Sequence, residues 1–71
     1  MSGRNLQIIL NGDTHEVAGP LTVTALLTQL SIDARRVAVE HNLAVLKRGA
    51  FDTTLVREGD SVEIVNFVGG G

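Results

Sequence analysis

The chain has 71 residues and a formal net charge of −2, with 44% hydrophobic and 20% charged residues. This balance is typical of one small globular domain and argues against a disordered segment or a basic nucleic-acid-binding protein. Cysteine is absent, so we expect no disulfide and no thiolate metal site, and we expect no other metal site or cofactor. No apolar run is long enough for a membrane helix or a signal peptide. We therefore expect a cytoplasmic protein with neither a membrane nor a nucleic acid as partner.

The beginning of the chain predicts a β-hairpin. Apolar residues alternate with others over 6–10, which is typical of a strand with one apolar face. Asn11-Gly12 follows directly and favours a type I′ turn, because both positions of that turn need positive φ. A short second strand is expected over 15–17, and Gly19-Pro20 ends it.

One helix is predicted after the hairpin. Thr22 is a candidate N-cap, because its hydroxyl can accept a hydrogen bond from a free amide of the first turn. Val23, Leu26, Leu27 and Leu30 follow at positions i, i+3, i+4 and i+7 and form one apolar stripe. A single stripe of this kind needs one face of a sheet to cover it.

Three further strands are predicted after the helix, over 37–40, 45–47 and 62–67. Asn42 and Gly59 mark turns between them, and Phe51 is expected to pin a loop over 48–54. The first and last strands are the most apolar, so we place them side by side and parallel at the centre of the sheet. The result is an α+β fold of the β-grasp (ubiquitin-like) type, a mixed sheet of four to five strands on one helix.

The last strand carries apolar residues on both of its faces. If its even-numbered apolar residues face the helix, Val65 and Phe67 face away from it. Apolar side chains of this size in solvent need an explanation. Two interpretations stay open: the loop around Phe51 covers them, or they form a docking patch for a partner, to which Leu46 could also belong.

The chain ends in three glycines, Gly69, Gly70 and Gly71. Glycine buries no side chain and loses much freedom when ordered, so folding gives no reason for this ending. Residues without Cβ suit a narrow slot in which a partner grips the backbone and reaches the terminal carboxylate. We therefore predict a domain over 1–68 and a flexible tail over 69–71. A cloning scar or an idle stub is the alternative.

Chemistry at Gly71 would require another protein. A carboxylate is a poor electrophile, so it must first be activated, most simply as a mixed anhydride with AMP. A sulfur nucleophile could then displace AMP and leave a thiocarboxylate. In this interpretation Gly71 carries the reacting group, while Gly69 and Gly70, with Val68 and the exposed residues of the last strand, contact the partner.

Several segments resemble the ThiS family of sulfur carriers. They are Leu6-Gln7-Ile8, Thr22-Val23 with Leu26-Leu27, 37–42, and 58–65 followed by 67–71. The resemblance implies a carrier that is not an enzyme. Its terminal glycine, here Gly71, would be adenylated by a ThiF-type partner related to ubiquitin-activating enzymes and converted to a thiocarboxylate, with sulfur drawn from cysteine through a desulfurase. The carrier would then give that sulfur to a ThiG-type thiazole synthase for the thiazole of thiamine.

Two other functions stay open at this point. The small subunit of molybdopterin synthase resembles the same fold and uses a similar glycine tail. A β-grasp interaction module whose tail does no chemistry is the second alternative. A stand-alone enzyme is not expected, because the sequence shows no pairing of a nucleophile with a base.

The remaining polar residues are interpreted as solvated. His15 and His41 are too few for a metal site and are expected at the surface. Asp60, next to the turn glycine, is expected to be a solvated carboxylate. The basic pairs at 35–36 and 47–48 could meet an acidic surface on a partner, where rim charges mainly affect the association rate.

Overall fold

The computed structural model describes residues 4–67, which form seven strands and one α-helix. Two short 3-10 turns, Ala34–Arg36 and Arg48–Ala50, complete the described elements. In chain order the regular elements are β1 (Arg4–Leu10), β2 (Asp13–Gly19), β3 (Leu21–Thr22), α1 (Val23–Gln29), β4 (Val37–His41), β5 (Ala44–Leu46), β6 (Leu55–Val56) and β7 (Ser61–Asn66).

Five of the strands form one mixed sheet in the order β2-β1-β7-β4-β5. The central strands β1 and β7 are parallel, with Ile9 opposite Ser61 and Leu10 opposite Val62. The other neighbours in this sheet are antiparallel. The predicted β-grasp arrangement is therefore confirmed, with five strands in the main sheet and the last strand at its centre.

Two tight turns of the same type close the hairpins β1–β2 and β4–β5. Asn11 and Gly12 have φ of 51° and 88°, as the sequence predicted for a type I′ turn. In the second hairpin Asn42 and Leu43 have φ of 50° and 73°. Leucine stands there at a position that favours glycine, and its side chain is 86% exposed. The second turn thus carries backbone strain that no buried contact of Leu43 offsets.

The helix α1 lies over one face of the sheet. Thr22 caps it as predicted: its Oγ1 accepts a hydrogen bond from the backbone N–H of Ala25 at 3.1 Å. Its predicted apolar stripe packs against the sheet. The core formed in this way contains Val23, Leu26 and Leu27 from the helix and Ile8, Val17, Val37, Val39 and Val62 from the sheet. The sheet buries only the face that packs against α1, so its opposite face is open to solvent.

A small second sheet was missed by the sequence analysis. β3 and β6 pair antiparallel, with Leu21 opposite Val56 and Thr22 opposite Leu55. Strands of two residues carry no detectable alternation, so their pairing depends on contacts distant in sequence. In the described part of the chain, no helix has the length and apolar character needed to cross a membrane.

Candidate functional site

The chain leaves the sheet from its central strand. β7 lies between β1 and β4 and ends at Asn66, and the N–H of Phe67 then donates a hydrogen bond to the carbonyl of Arg36 at 2.9 Å. We call this point the exit. Four of the predicted site residues follow it and lie outside the described residues: Val68, Gly69, Gly70 and Gly71.

Two apolar side chains stand exposed at the exit. Val65 is 60% exposed and Phe67 61% exposed, and both belong to the sheet face that points away from α1. Ala38 lies directly opposite Val65 on β4. We call Val65 and Phe67 the exit patch. Exposed apolar side chains beside the end of a central strand are suited to contact with a partner.

Of the two interpretations of this patch, coverage by the loop around Phe51 is wrong. Phe51 is buried in the core, and its carbonyl accepts a hydrogen bond from the N–H of Thr24 at 3.1 Å. The loop is thus held beneath the beginning of the helix, away from the outer face. Leu46 does not belong to the patch either, because it lies opposite Val39 and packs against the core.

Val45 is an exposed apolar residue of the outer face that the sequence analysis did not assign to the site. It lies opposite Glu40 on β4, and Glu40 in turn lies opposite Glu63 on β7. The sequence feature that could have identified Val45 is alternation along the strand: if Leu46 faces the core, the neighbouring Val45 faces outward. The outer face is therefore acidic at its middle and apolar at the exit.

At the other end of β7, His41 and Asp60 form a hydrogen-bonded pair. His41 Nε2 lies 2.7 Å from Asp60 Oδ2, and both side chains are largely buried. Asp60 also accepts from the N–H of Arg57 at 2.9 Å and from Asn42 Nδ2 at 3.3 Å. The expectation that His41 and Asp60 are ordinary surface residues is wrong, because this pair joins the β4–β5 turn to the turn before β7.

The environment of Asp60 lowers its pKa. Burial alone would raise the pKa of this carboxyl, but hydrogen bonds from His41, the Arg57 backbone and Asn42 favour the charged form and outweigh it. His41 and Asn42 are adjacent at the β4–β5 turn, and Arg57 lies in the turn before β7 with Asp60 itself, so the carboxylate holds these two turns together. Within residues 4–67, no group of three His, Cys, Asp or Glu side chains is arranged to hold a metal ion. Because the hydrogen bonds of Asp60 connect two turns, His41, Asn42 and Asp60 have a structural role.

The model of the ThiS family matches residues 8–71 of the chain. A thiazole synthase from Paramagnetospirillum magneticum is 39% identical over 66 residues, covering 93% of this chain and 20% of that protein. A second thiazole synthase, from Magnetococcus marinus, matches to the same extent. The chain therefore spans about one fifth of the length of these two relatives.

The chain is also similar to relatives of its own length and to solved structures. The uncharacterized protein ycf40 from Porphyra purpurea is 35% identical over 71 residues, the whole of both chains. The crystal structure of the thiamine biosynthesis protein ThiS from Geobacter metallireducens has a TM-score of 0.81 and 45% identity, covering 93% of this chain and all of that one.

Proposed function

The chain belongs to the ThiS family, and from this premise we propose that it is a sulfur carrier for the thiazole of thiamine. The match of the family model through Gly71 is the observation that carries the proposal. In this proposal, residues 1–68 are the recognition domain and residues 69–71 are the reactive arm. The chain is a substrate of its partner enzymes and does not itself catalyse a reaction.

The chemistry takes place at the carboxylate of Gly71. A carboxylate oxygen attacks the α-phosphorus of ATP and pyrophosphate leaves, which makes a mixed anhydride with AMP. Hydrosulfide, which a thiol reductant releases from the persulfide that a desulfurase forms from cysteine, then attacks the carbonyl carbon. AMP departs with one of the original carboxylate oxygens, so one oxygen is exchanged for sulfur. Without a Cβ, Gly71 leaves the carbonyl carbon open to attack.

The exit patch is the proposed docking surface for the adenylating partner, a protein of the ThiF type. Val65 and Phe67 are exposed where the chain leaves the sheet, so a partner that takes up residues 68–71 must approach this patch. Apolar and aromatic side chains of this kind provide most of the binding energy in many protein interfaces. Gly69 and Gly70 would lie in the slot, where a Cβ would widen the chain.

A thiazole synthase is the proposed acceptor of the sulfur. In two proteins named thiazole synthase, a segment similar to this chain shares one polypeptide with a much longer remainder. Such a linkage holds the two parts at a high effective concentration, which suits a carrier and its acceptor. This observation favours thiazole synthesis over the molybdopterin pathway.

Intact-mass spectrometry tests the proposal directly. The chain is incubated with ATP, a sulfur source and an adenylating partner that is active on its own carrier, and we expect a mass increase of one oxygen-to-sulfur exchange. A variant with one residue added after Gly71 should melt like the native chain and fail to load. An unchanged mass of the native chain would identify an interaction module without terminal chemistry.

The acceptor is tested in a second step. The loaded carrier is offered separately to thiazole synthase and to the large subunit of molybdopterin synthase, each with its own substrates. We expect thiazole synthase to consume the thiocarboxylate and the molybdopterin synthase subunit to leave it intact. Transfer to the molybdopterin enzyme alone would assign the chain to the other pathway.

A further inference from the structure

The basic residues of the chain are concentrated at the exit. Four of its six lysine and arginine residues lie there and are exposed; we call Arg35, Arg36, Lys47 and Arg48 the basic cluster. Arg48 Nη2 donates to the carbonyl of Arg35 at 3.3 Å, and the carbonyl of Arg36 accepts from Phe67. Residues from two separate segments thus meet beside the point where the chain leaves the sheet.

Only one carboxylate within residues 4–67 is paired with this cluster. Asp33 binds Arg35 with both oxygens, at 3.2 Å to Nε and 3.2 Å to Nη2, and lies 3.8 Å from Arg36 Nε. Four cations and one carboxylate leave a formal charge of +3 here. The other two cations and seven carboxylates of the chain make −5. The exit is therefore the positive end of an acidic protein.

If a partner holds residues 68–71 in an extended form, the cluster stands too far from the carboxylate of Gly71 to act on a nucleotide there. Four residues separate Phe67 from the terminal carboxylate, and a fully extended chain of that length spans up to about 14 Å. This is more than the reach of a lysine or arginine side chain. A partner that binds the arm in an extended form would hold AMP beyond the cluster and place its own outer surface against it.

From this arrangement we propose that the adenylating partner carries carboxylates at the mouth of the slot for the arm, and that the basic cluster pairs with them. The exit patch then supplies apolar contact, and the cluster beside it supplies charge attraction and orientation. This inference rests on the proposed function. Charges at the rim of an interface act mainly on the association rate, and salt screens them.

Lys47→Glu is the test variant, because the Lys47 side chain is exposed and gives no cap hydrogen bond to the turn it precedes. Arg57→Glu is its matched control. It makes the same change in net charge at an exposed site before β7, at the opposite end of that strand from the exit. Lys47→Arg keeps the charge and should restore native behaviour.

We expect Lys47→Glu to slow association with the adenylating partner by about three- to tenfold at low ionic strength, and by less than about twofold at 0.5 M salt. Arg57→Glu should stay within about twofold of the native chain at both salt concentrations. In steady-state adenylation the KM for the carrier should rise with Lys47→Glu, whereas the KM for ATP and kcat should not change.

Equal effects of Lys47→Glu and Arg57→Glu would overturn the inference, and so would an effect of Lys47→Glu that high salt does not remove. A raised KM for ATP would mean that the cluster binds the nucleotide instead. Complete loading of the native chain at high partner concentration is measured in parallel. If loading succeeds without any salt dependence, only this inference fails; if the native chain does not load, the proposed function fails with it.

Discussion

Replacing Phe67 by serine separates binding at the exit patch from stability of the fold. Phe67 is 61% exposed, so about two fifths of the residue is buried. Full burial of a phenylalanine stabilises a fold by about 1.5–3 kcal/mol, and Phe67→Ser should therefore lower the free energy of unfolding by about 1 kcal/mol. The hydrogen bond from the Phe67 N–H to Arg36 belongs to the backbone and is kept.

The expected loss in binding is larger than this loss in stability. An aromatic side chain at the centre of an interface contributes about 2 kcal/mol or more, which corresponds to an increase in Kd of roughly 30-fold. Titration calorimetry with the adenylating partner, at a temperature where both carriers are folded, measures that change. Chemical denaturation of each carrier alone measures the stability.

Leu55→Ser is the matched control. Leu55 is 47% exposed, so its removal should cost about as much stability as that of Phe67. It belongs to the small β3–β6 sheet and not to the outer face of the main sheet, so the Kd should not change. If Phe67→Ser lost about 3 kcal/mol of stability or more and kept native affinity, Phe67 would be a core residue and not part of a docking surface.

Three further predictions concern the fold that presents the exit. Leu43→Gly should raise the melting temperature, because a leucine with positive φ costs about 1–2 kcal/mol and Asn42 followed by glycine is the preferred type I′ pair; a lower melting temperature would refute the strain. Thr22→Ala should cost about 1 kcal/mol in denaturant unfolding through loss of the N-cap, and an unchanged midpoint would contradict the cap. Because the pKa of Asp60 is lowered in the folded state, its carboxylate stabilises the fold at pH values above the ordinary pKa of 3.8. This contribution is lost as the pH falls through the lower pKa of the folded state. The Asp60→Asn variant, in which the carboxamide can still contact His41, should therefore lose less stability between pH 5 and 2 than the native chain does, and parallel pH profiles of the melting temperature would disprove this.

Much of the fold could be predicted from the sequence because its signals are local. The turn at Asn11-Gly12, the cap at Thr22 and the helical stripe each depend on residues within a few positions of one another. The exposed direction of Val65 and Phe67 was equally local, since it follows from alternation along one strand. These features were sufficient to predict the topology of the sheet and the exposure of Val65 and Phe67 at the exit.

The parts that could not be predicted depend on contacts between distant residues. Whether the exit patch is covered depends on the path of the loop around Phe51, which no periodicity determines. The pairing of His41 with Asp60 joins residues 19 positions apart, and neither residue lies in a pattern that marks it as buried. Nor does sequence spacing indicate that the pairs at 35–36 and 47–48 meet at one end of the sheet.

The central position of β7 has a mechanical consequence. A partner that pulls on the chain beyond Phe67 applies force along the axis of this strand, which five residue pairs join to β4 and which also pairs with β1. The inter-strand hydrogen bonds lie across that axis, so the load is shared among them in shear and they do not open one after another. The domain can therefore withstand tension on its C-terminal segment without β7 being peeled from the sheet.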